Sequence, residues 1–365
     1  MEIPFFRYNW FFNENRDEIL SQHDRILSSG HYVNGEYTRK LENKLAEICN
    51  RKYAIATASC TDALFFALQT AGIKPGDGVV VTPFSFVATL DSILRCGAFP
   101  IFVDIDENFM LDADKLDEAI TPQTKAIVFV QLFGNCHPKH KQIREIAEKY
   151  GIALIEDNAQ GIGAKCDGIP SGKFGDYGCI SFDPTKLVSA YGTGGAVVTD
   201  DENAYQTIKK LQNHGLVKGI SESQGYNSKI SEIEASSVLL QLEKLPQTIE
   251  RMNAIAQKYF EGLNGIGQII LPKKTCEICN FHKFVIRTEN RNALRQHLSN
   301  CGIETKIHYE HLLSELPLLN GQKYLKHNLA NAEKAKSKVL SLPIYTSLTD
   351  SEISYVCEMV RKFYE

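Results

Sequence analysis

Lys186 closes the run Ile180-Ser181-Phe182-Asp183-Pro184-Thr185-Lys186, and Tyr191-Gly192-Thr193-Gly194-Gly195-Ala196-Val197-Val198 follows. A short apolar strand leads into a Pro-Thr turn carrying one lysine, then a glycine-rich loop and a second apolar strand. An amine held on such a turn loses hydration, and desolvation lowers its basicity. A neutral amine can form a Schiff base with an aldehyde. Upstream, Leu154-Ile155-Glu156-Asp157-Asn158-Ala159-Gln160 ends another strand in an acid. A lysine for the aldehyde and a carboxylate that keeps a ring nitrogen protonated are the two groups a pyridoxal phosphate site needs.

Two further segments fit the same cofactor. Thr57-Ala58-Ser59-Cys60-Thr61-Asp62-Ala63 puts small residues and hydroxyls at a strand-to-helix junction. Backbone N–H groups and the helix dipole favour a phosphate there; capping by Ser59 or Thr61 explains the same residues without one. Phe84-Ser85-Phe86 follows the next strand, and one of its rings could stack on a pyridine or simply fill the core. Taken singly, Asp157 could cap the next helix and Lys186 is one lysine among many. Their order and contexts together favour the cofactor.

These segments need a frame. Residues 53–200 alternate short Val/Ile-rich runs with helical patterns. Tyr53 to Ala56, Val79 to Val81, Pro100 to Val103, Ala126 to Val130, Ile152 to Ile155, Gly178 to Phe182 and Gly195 to Thr199 read as strands. Thr61 to Ala71, Val87 to Arg95 and Lys139 to Tyr150 read as helices. Apolar runs without alternation imply strands buried on both faces of a mostly parallel sheet, hence an α/β architecture. Ligands gather at the carboxyl ends of such strands, where Thr57, Phe86, Asp157 and Lys186 fall. Asn15 to Ser28 and Glu36 to Cys49 read as helices before the sheet. From Ile230 to Leu263 a long helical pattern runs with a kink expected near Pro246. Beyond it Phe281 to Arg287 reads as strand, and Arg291 to Cys301 and Asn328 to Leu340 as helices. The expected division is a large domain over residues 1–245 and a smaller α+β domain over 246–365.

The chain of 365 residues is long enough for both. Its net charge of -4 gives no electrostatic reason to expect nucleic acid or an acidic membrane. No apolar run has the length of a membrane span, and the start Met1-Glu2-Ile3-Pro4-Phe5-Phe6 does not read as a signal peptide. A cytoplasmic location is expected. The ten cysteines are scattered and should be reduced, small apolar residues. Cys276-Glu277-Ile278-Cys279 could join a zinc site only with two more ligands, His282 being the obvious candidate; a loop with two free thiols is the simpler reading.

The chain resembles the DegT/DnrJ/EryC1/StrS family of sugar aminotransferases. The resemblance rests on Ala58 to Leu64, Phe84 to Thr89, Phe102 to Asp106, Glu156 to Gln160, Ser181 to Lys186, Gly194 to Thr199, Asn213-His214-Gly215 and Gly225 to Ser228. Weaker echoes follow in Gly302 to Thr305, Ile307-His308-Tyr309 and Ser341-Leu342-Pro343. It implies the aspartate aminotransferase-like fold of type I and pyridoxal phosphate as cofactor. It implies that Lys186 forms the Schiff base and later moves the substrate proton, that Asp157 holds the ring nitrogen, and that Phe86 stacks on the ring. Gln160 would face the ring's phenolic oxygen, and Ser59, Cys60 and Ser181 would hold the phosphate. Asn227 would reach that phosphate from a second subunit, making a homodimer with shared sites. The implied substrates are a nucleotide-linked keto sugar and an amino-acid donor, usually glutamate, and the implied product is a deoxyamino sugar such as those of lipopolysaccharide O-antigens. Three residues depart from the family pattern: Lys229 stands for the usual Arg, Glu234 for Gln, and Gln131 for the His of many relatives. Other outcomes of the same resemblance are a sugar dehydratase, which replaces the lysine with His, a lyase, or a non-catalytic regulator.

Overall fold

The computed structural model describes residues 1–365. Tyr53–Thr57 (β1), Gly78–Val81 (β2), Phe99–Phe102 (β3), Thr124–Val130 (β4), Ala153–Asp157 (β5), Tyr177–Ser181 (β6) and Gly195–Thr199 (β7) form most of an eight-stranded sheet. Ile269–Ile270 (β8) and Phe284–Thr288 (β9) follow, then Leu325–Lys326 (β10) and Val339–Leu342 (β11). The large sheet runs β1-β7-β6-β5-β4-β2-β3-β10. Only β7 is antiparallel to its neighbours; the other pairs are parallel. A small antiparallel sheet has the order β8-β9-β11.

The strands are buried on both faces, as their unbroken Val/Ile runs require. Val80, Ile127 and Phe129 point into one core, which they share with Met252, Tyr259 and Val356. Val79, Val81 and Val128 point into the other, with Phe65, Phe66 and Leu90. This is the two-residue period of a pleated strand. The helices Arg16–Ser29 (α1), Glu36–Ile48 (α2), Cys60–Thr70 (α3), Val87–Arg95 (α4) and His140–Tyr150 (α5) lie within two residues of their expected spans.

Two expectations needed correction. The long helical pattern is two helices, Glu232–Glu243 (α6) and Leu245–Leu263 (α7), broken at Lys244 with Pro246 in the first turn of the second. Proline lacks an N–H and fits a first turn, where that donor has no intrahelical partner. The helix expected to run to Leu340 ends as Ala330–Lys338 (α8). Val339-Leu340-Ser341-Leu342 becomes β11 instead, fully buried beside β9. The terminal helix Asp350–Tyr364 (α9) packs on α7. No helix is long and apolar enough to cross a membrane.

Candidate active site

All strands of the large sheet except β7 point their carboxyl ends the same way, and a cavity of about 580 Å³ opens there. Seven of the eight residues singled out in the sequence line it: Ser59, Cys60, Phe86, Asp157, Gln160, Ser181 and Lys186. Asn227 does not. It stands exposed beyond the cavity, in a bridge to Asn213.

Lys186 lies on the loop between β6 and β7. Asp183 shapes that loop: its carboxylate accepts from the Thr185 N–H at 2.9 Å and from the Thr185 hydroxyl at 2.6 Å. Its backbone oxygen accepts from the Lys186 N–H at 2.9 Å. Burial pulls the Lys186 amine below the ordinary lysine range, and Cys60, Asp157 and Asp183 only partly oppose this. The tendency expected from the turn is therefore present.

Asp157 ends β5 and is buried. One carboxylate oxygen accepts from Thr89 Oγ1 at 2.8 Å and the other from the Ala159 N–H at 3.1 Å. Thr89 spends its only hydrogen on Asp157, so Ser85 Oγ, 2.9 Å away, must donate to Thr89. Burial raises the Asp157 carboxyl; Thr89, Ala159 and Lys186 pull the other way. The adjacent Glu156 faces away from the cavity. It accepts from the N–H groups of Gly172 and Phe174, at 2.8 and 2.9 Å, and from Gln131 Nε2 at 2.9 Å. Gln131, whose identity departs from many relatives, is thus a buried support for Glu156.

Ser59 caps α3, accepting from the Asp62 N–H at 3.1 Å. The N–H groups of Cys60 and Thr61 in that first turn have no intrahelical partner and border the cavity. In register, Gly195 faces Thr57 on one side and Ser181 on the other. A Cβ there would come within 2.4 Å of the Cys60 nitrogen. Glycine at this position lets the α3 turn press against β7. Phe86 is 58% exposed with its ring at the cavity, an unusual position for a large apolar side chain. Amine, acid, ring, hydroxyls and helix N-terminus make a donor set that fits pyridoxal phosphate. Gln160 lines the cavity, but its side chain is engaged: Oε1 accepts from the Phe133 N–H at 2.9 Å and Nε2 donates to Tyr309 Oη at 3.1 Å.

Sequence reasoning missed the opposite wall. The residues just before β9 and after Gly302 bring His282, Lys283, Lys306, His308 and Tyr309 to the cavity, joined by Phe5. Only the His308-Tyr309 pair carried a signal, as part of a family echo without a role. His282, weighed above as a zinc ligand, belongs to this wall, whereas Cys276 and Cys279 are buried thiols in the core beneath. Gly134, at φ +95°, supports the wall from behind; a Cβ there would collide with Asn280 and the His282 nitrogen. Burial and the nearby cations hold His308 down to about 3, so it is neutral.

The profile of the DegT/DnrJ/EryC1/StrS aminotransferase family matches residues 13–361. The chain belongs to this family. A pleiotropic regulatory protein of Geobacillus stearothermophilus is 34% identical over 100% of this chain and 99% of its own length. The UDP-2-acetamido-2-deoxy-3-oxo-D-glucuronate aminotransferase of Pseudomonas aeruginosa is 34% identical over 94% of this chain and 95% of its own. The crystal structure of DesV from S. venezuelae, in complex with a ketimine intermediate, superposes with a TM-score of 0.95 at 33% identity, covering 100% of this chain and 99% of that one.

Proposed function

We propose that this member of the family is a pyridoxal phosphate-dependent aminotransferase. It moves the amino group of an amino acid, glutamate in our reading, onto a keto group of a nucleotide-linked deoxy sugar. The observation that carries the proposal is the Lys186 amine and the Asp157 carboxylate lining one cavity, with the open N-terminus of α3 at its edge. The aminotransferase named above acts on a nucleotide-linked 3-oxo sugar, which supports the acceptor class. A relative with a regulatory name matches equally well, but a binding-only protein has no use for a lysine whose basicity burial lowers.

Pyridoxal phosphate, when bound, supplies an aldehyde and a ring that withdraws electrons from the reacting carbon. Lys186 would anchor it and, once freed, would move a proton off the donor carbon in one half-reaction and onto the acceptor carbon in the other, exchanging it each time with the bound group. Asp157, as carboxylate, holds a proton on the ring nitrogen, with Thr89 and Ala159 fixing its orientation. Phe86 covers one ring face. Ser59, Ser181 and the Cys60 N–H bind the phosphate. Gln160, which holds the Tyr309 hydroxyl, would face the ring's phenolic oxygen. Asn227 acts on the phosphate of a second copy in a homodimer. Lys229 donates to Asn213 Oδ1 at 2.9 Å, which steadies the Asn213–Asn227 bridge. We divide the chain at 245/246, in the first turn of α7, and place the protein in the cytoplasm, where its ten free thiols stay reduced.

The test is spectroscopic. Purified protein reconstituted with pyridoxal phosphate should show the visible band of the lysine-linked cofactor. L-glutamate should bleach it with release of 2-oxoglutarate, and a nucleotide-linked keto sugar should restore it while gaining an amine by mass spectrometry. A band indifferent to every amino donor would overturn the proposal.

A further inference from the structure

Lys283 is 8% exposed, yet its amine has no carboxylate partner and no hydrogen bond; its near neighbour is the Phe5 ring, 5.2 Å away. Lys306 Nζ sits the same distance from that ring, at the cavity's exposed rim. Both line the active-site cavity, and no arginine does. The charged groups that face Lys283 are Lys186, Lys306 and Asp183, with His308 and His282 beside it. The two charged neighbours other than Asp183 are both lysines, so Lys283 faces more basic than acidic groups. A buried cation with no counter-ion is costly unless something anionic meets it.

We infer that Lys283 and Lys306 bind a substrate carboxylate on the small-sheet side of the cavity. The inference rests on the aminotransferase reading, because a transaminase must hold its donor's carboxylate beside the reacting carbon. Apart from Lys186, these are the only lysines or arginines of this chain that line the cavity. Phe5 fixes their spacing without neutralising them, since a ring face attracts a cation but carries no net charge. Burial and the neighbouring lysines push the Lys283 amine down to about 7. An incoming carboxylate reverses that shift, so binding above neutral pH draws a proton onto Lys283. A carboxylate can come from the amino donor or from an acidic sugar, and the chemistry at the two lysines is the same.

Two arms separate these sources. In the first, pyridoxal phosphate-loaded wild type and Lys283→Met are titrated with L-glutamate alone, following the bleaching of the visible band. Loss of one charged contact should raise the half-saturating concentration by about tenfold or more without reducing the final bleaching. In the second, calorimetry compares UDP-glucuronate with UDP-glucose, which differ only in a carboxylate where the other has a hydroxymethyl group. A wild-type preference for the acid, lost in Lys283→Met, assigns the site to the sugar. In whichever arm responds, the binding heat in wild type should depend on the buffer above neutral pH, reporting proton uptake, and should not in the variant. A lysine that only supports the fold would move none of these readouts. Lys283→Met removes a buried unpaired charge and should fold; Lys306→Met, at the exposed rim, is the second variant. If neither substitution changes either arm, the carboxylate site is overturned. A wild-type band that glutamate leaves untouched would instead strike at the aminotransferase proposal, leaving the calorimetric arm to judge the lysines.

Discussion

On the sheet side of the cavity, Asp157 accepts from Thr89 and Ala159, Ser59 caps its helix, and the Lys186 turn is tied to Asp183. On the facing side, Lys283 and Lys306 have only an aromatic ring between them. One wall is assembled and hydrogen-bonded, as preorganised catalysis requires, because its groups must not rearrange as charge moves. The other holds charge in reserve, in the condition of a surface that completes itself on a ligand. We read the first as the place of the constant partner, the cofactor, and the second as the place of the substrates that come and go.

The strongest test of this contrast is Lys186→Ala. Turnover should fall to background, while the thermal midpoint stays near that of wild type and non-covalent pyridoxal phosphate binding persists, read by equilibrium dialysis. Full activity in the variant would remove Lys186 from the chemistry. Asp157→Asn comes next. An amide holds no proton on the ring nitrogen as a carboxylate does, and the rate should drop about a hundredfold, equivalent to about 2.7 kcal/mol of barrier. A loss smaller than about tenfold, near 1.4 kcal/mol, would mean that Asp157 is not the partner of the ring nitrogen.

Asn227 lies on neither wall of its own chain. If it serves the phosphate of a second copy, Lys186→Ala and Asn227→Ala subunits, each inactive in its own homodimer, should complement when co-expressed. Of the two sites in such a heterodimer, one carries both lesions and one carries none. About half of the wild-type activity per dimer is expected, as for one intact site of two. A verified heterodimer without activity would return Asn227 to its own subunit.

The two walls also differed in legibility. On the sheet side, each group sits at a strand end within a short run, and the run carries the signal: a strand ending in Glu156-Asp157, a strand then Pro-Thr-Lys. There the sequence singled out Asp157 over the adjacent Glu156, and the structure turns Glu156 away onto Gly172, Phe174 and Gln131. On the far side, Phe5, Lys283, Lys306 and Tyr309 come from separated stretches that only tertiary packing unites. Lys283 is one of 40 lysines and arginines, and nothing local distinguishes it, because its burial depends on β9 and its companions on the chain's first residues. The helix expected through Leu340 failed similarly: the Val339–Leu342 run suits either element until its pairing with β9 is known.

The smallest expected effect is the most specific to the sheet wall. Thr89 touches Asp157 but does no chemistry, and it is itself fixed by Ser85. Thr89→Val keeps the shape and removes the donated hydrogen bond. That bond lowers the Asp157 carboxyl, against the upward push of burial. Without it the carboxylate form is less favoured, so a larger share of the enzyme carries a protonated Asp157 as pH falls. The acid limb of the kcat/KM profile should therefore move to higher pH. On the alkaline side of that limb the loss should be modest, about tenfold, equivalent to about 1.4 kcal/mol of barrier. The half-saturating glutamate concentration should hardly change, because Thr89 belongs to the cofactor wall and not to the substrate wall. A variant whose acid limb stays in place while its glutamate affinity falls would reverse the assignment of the two walls.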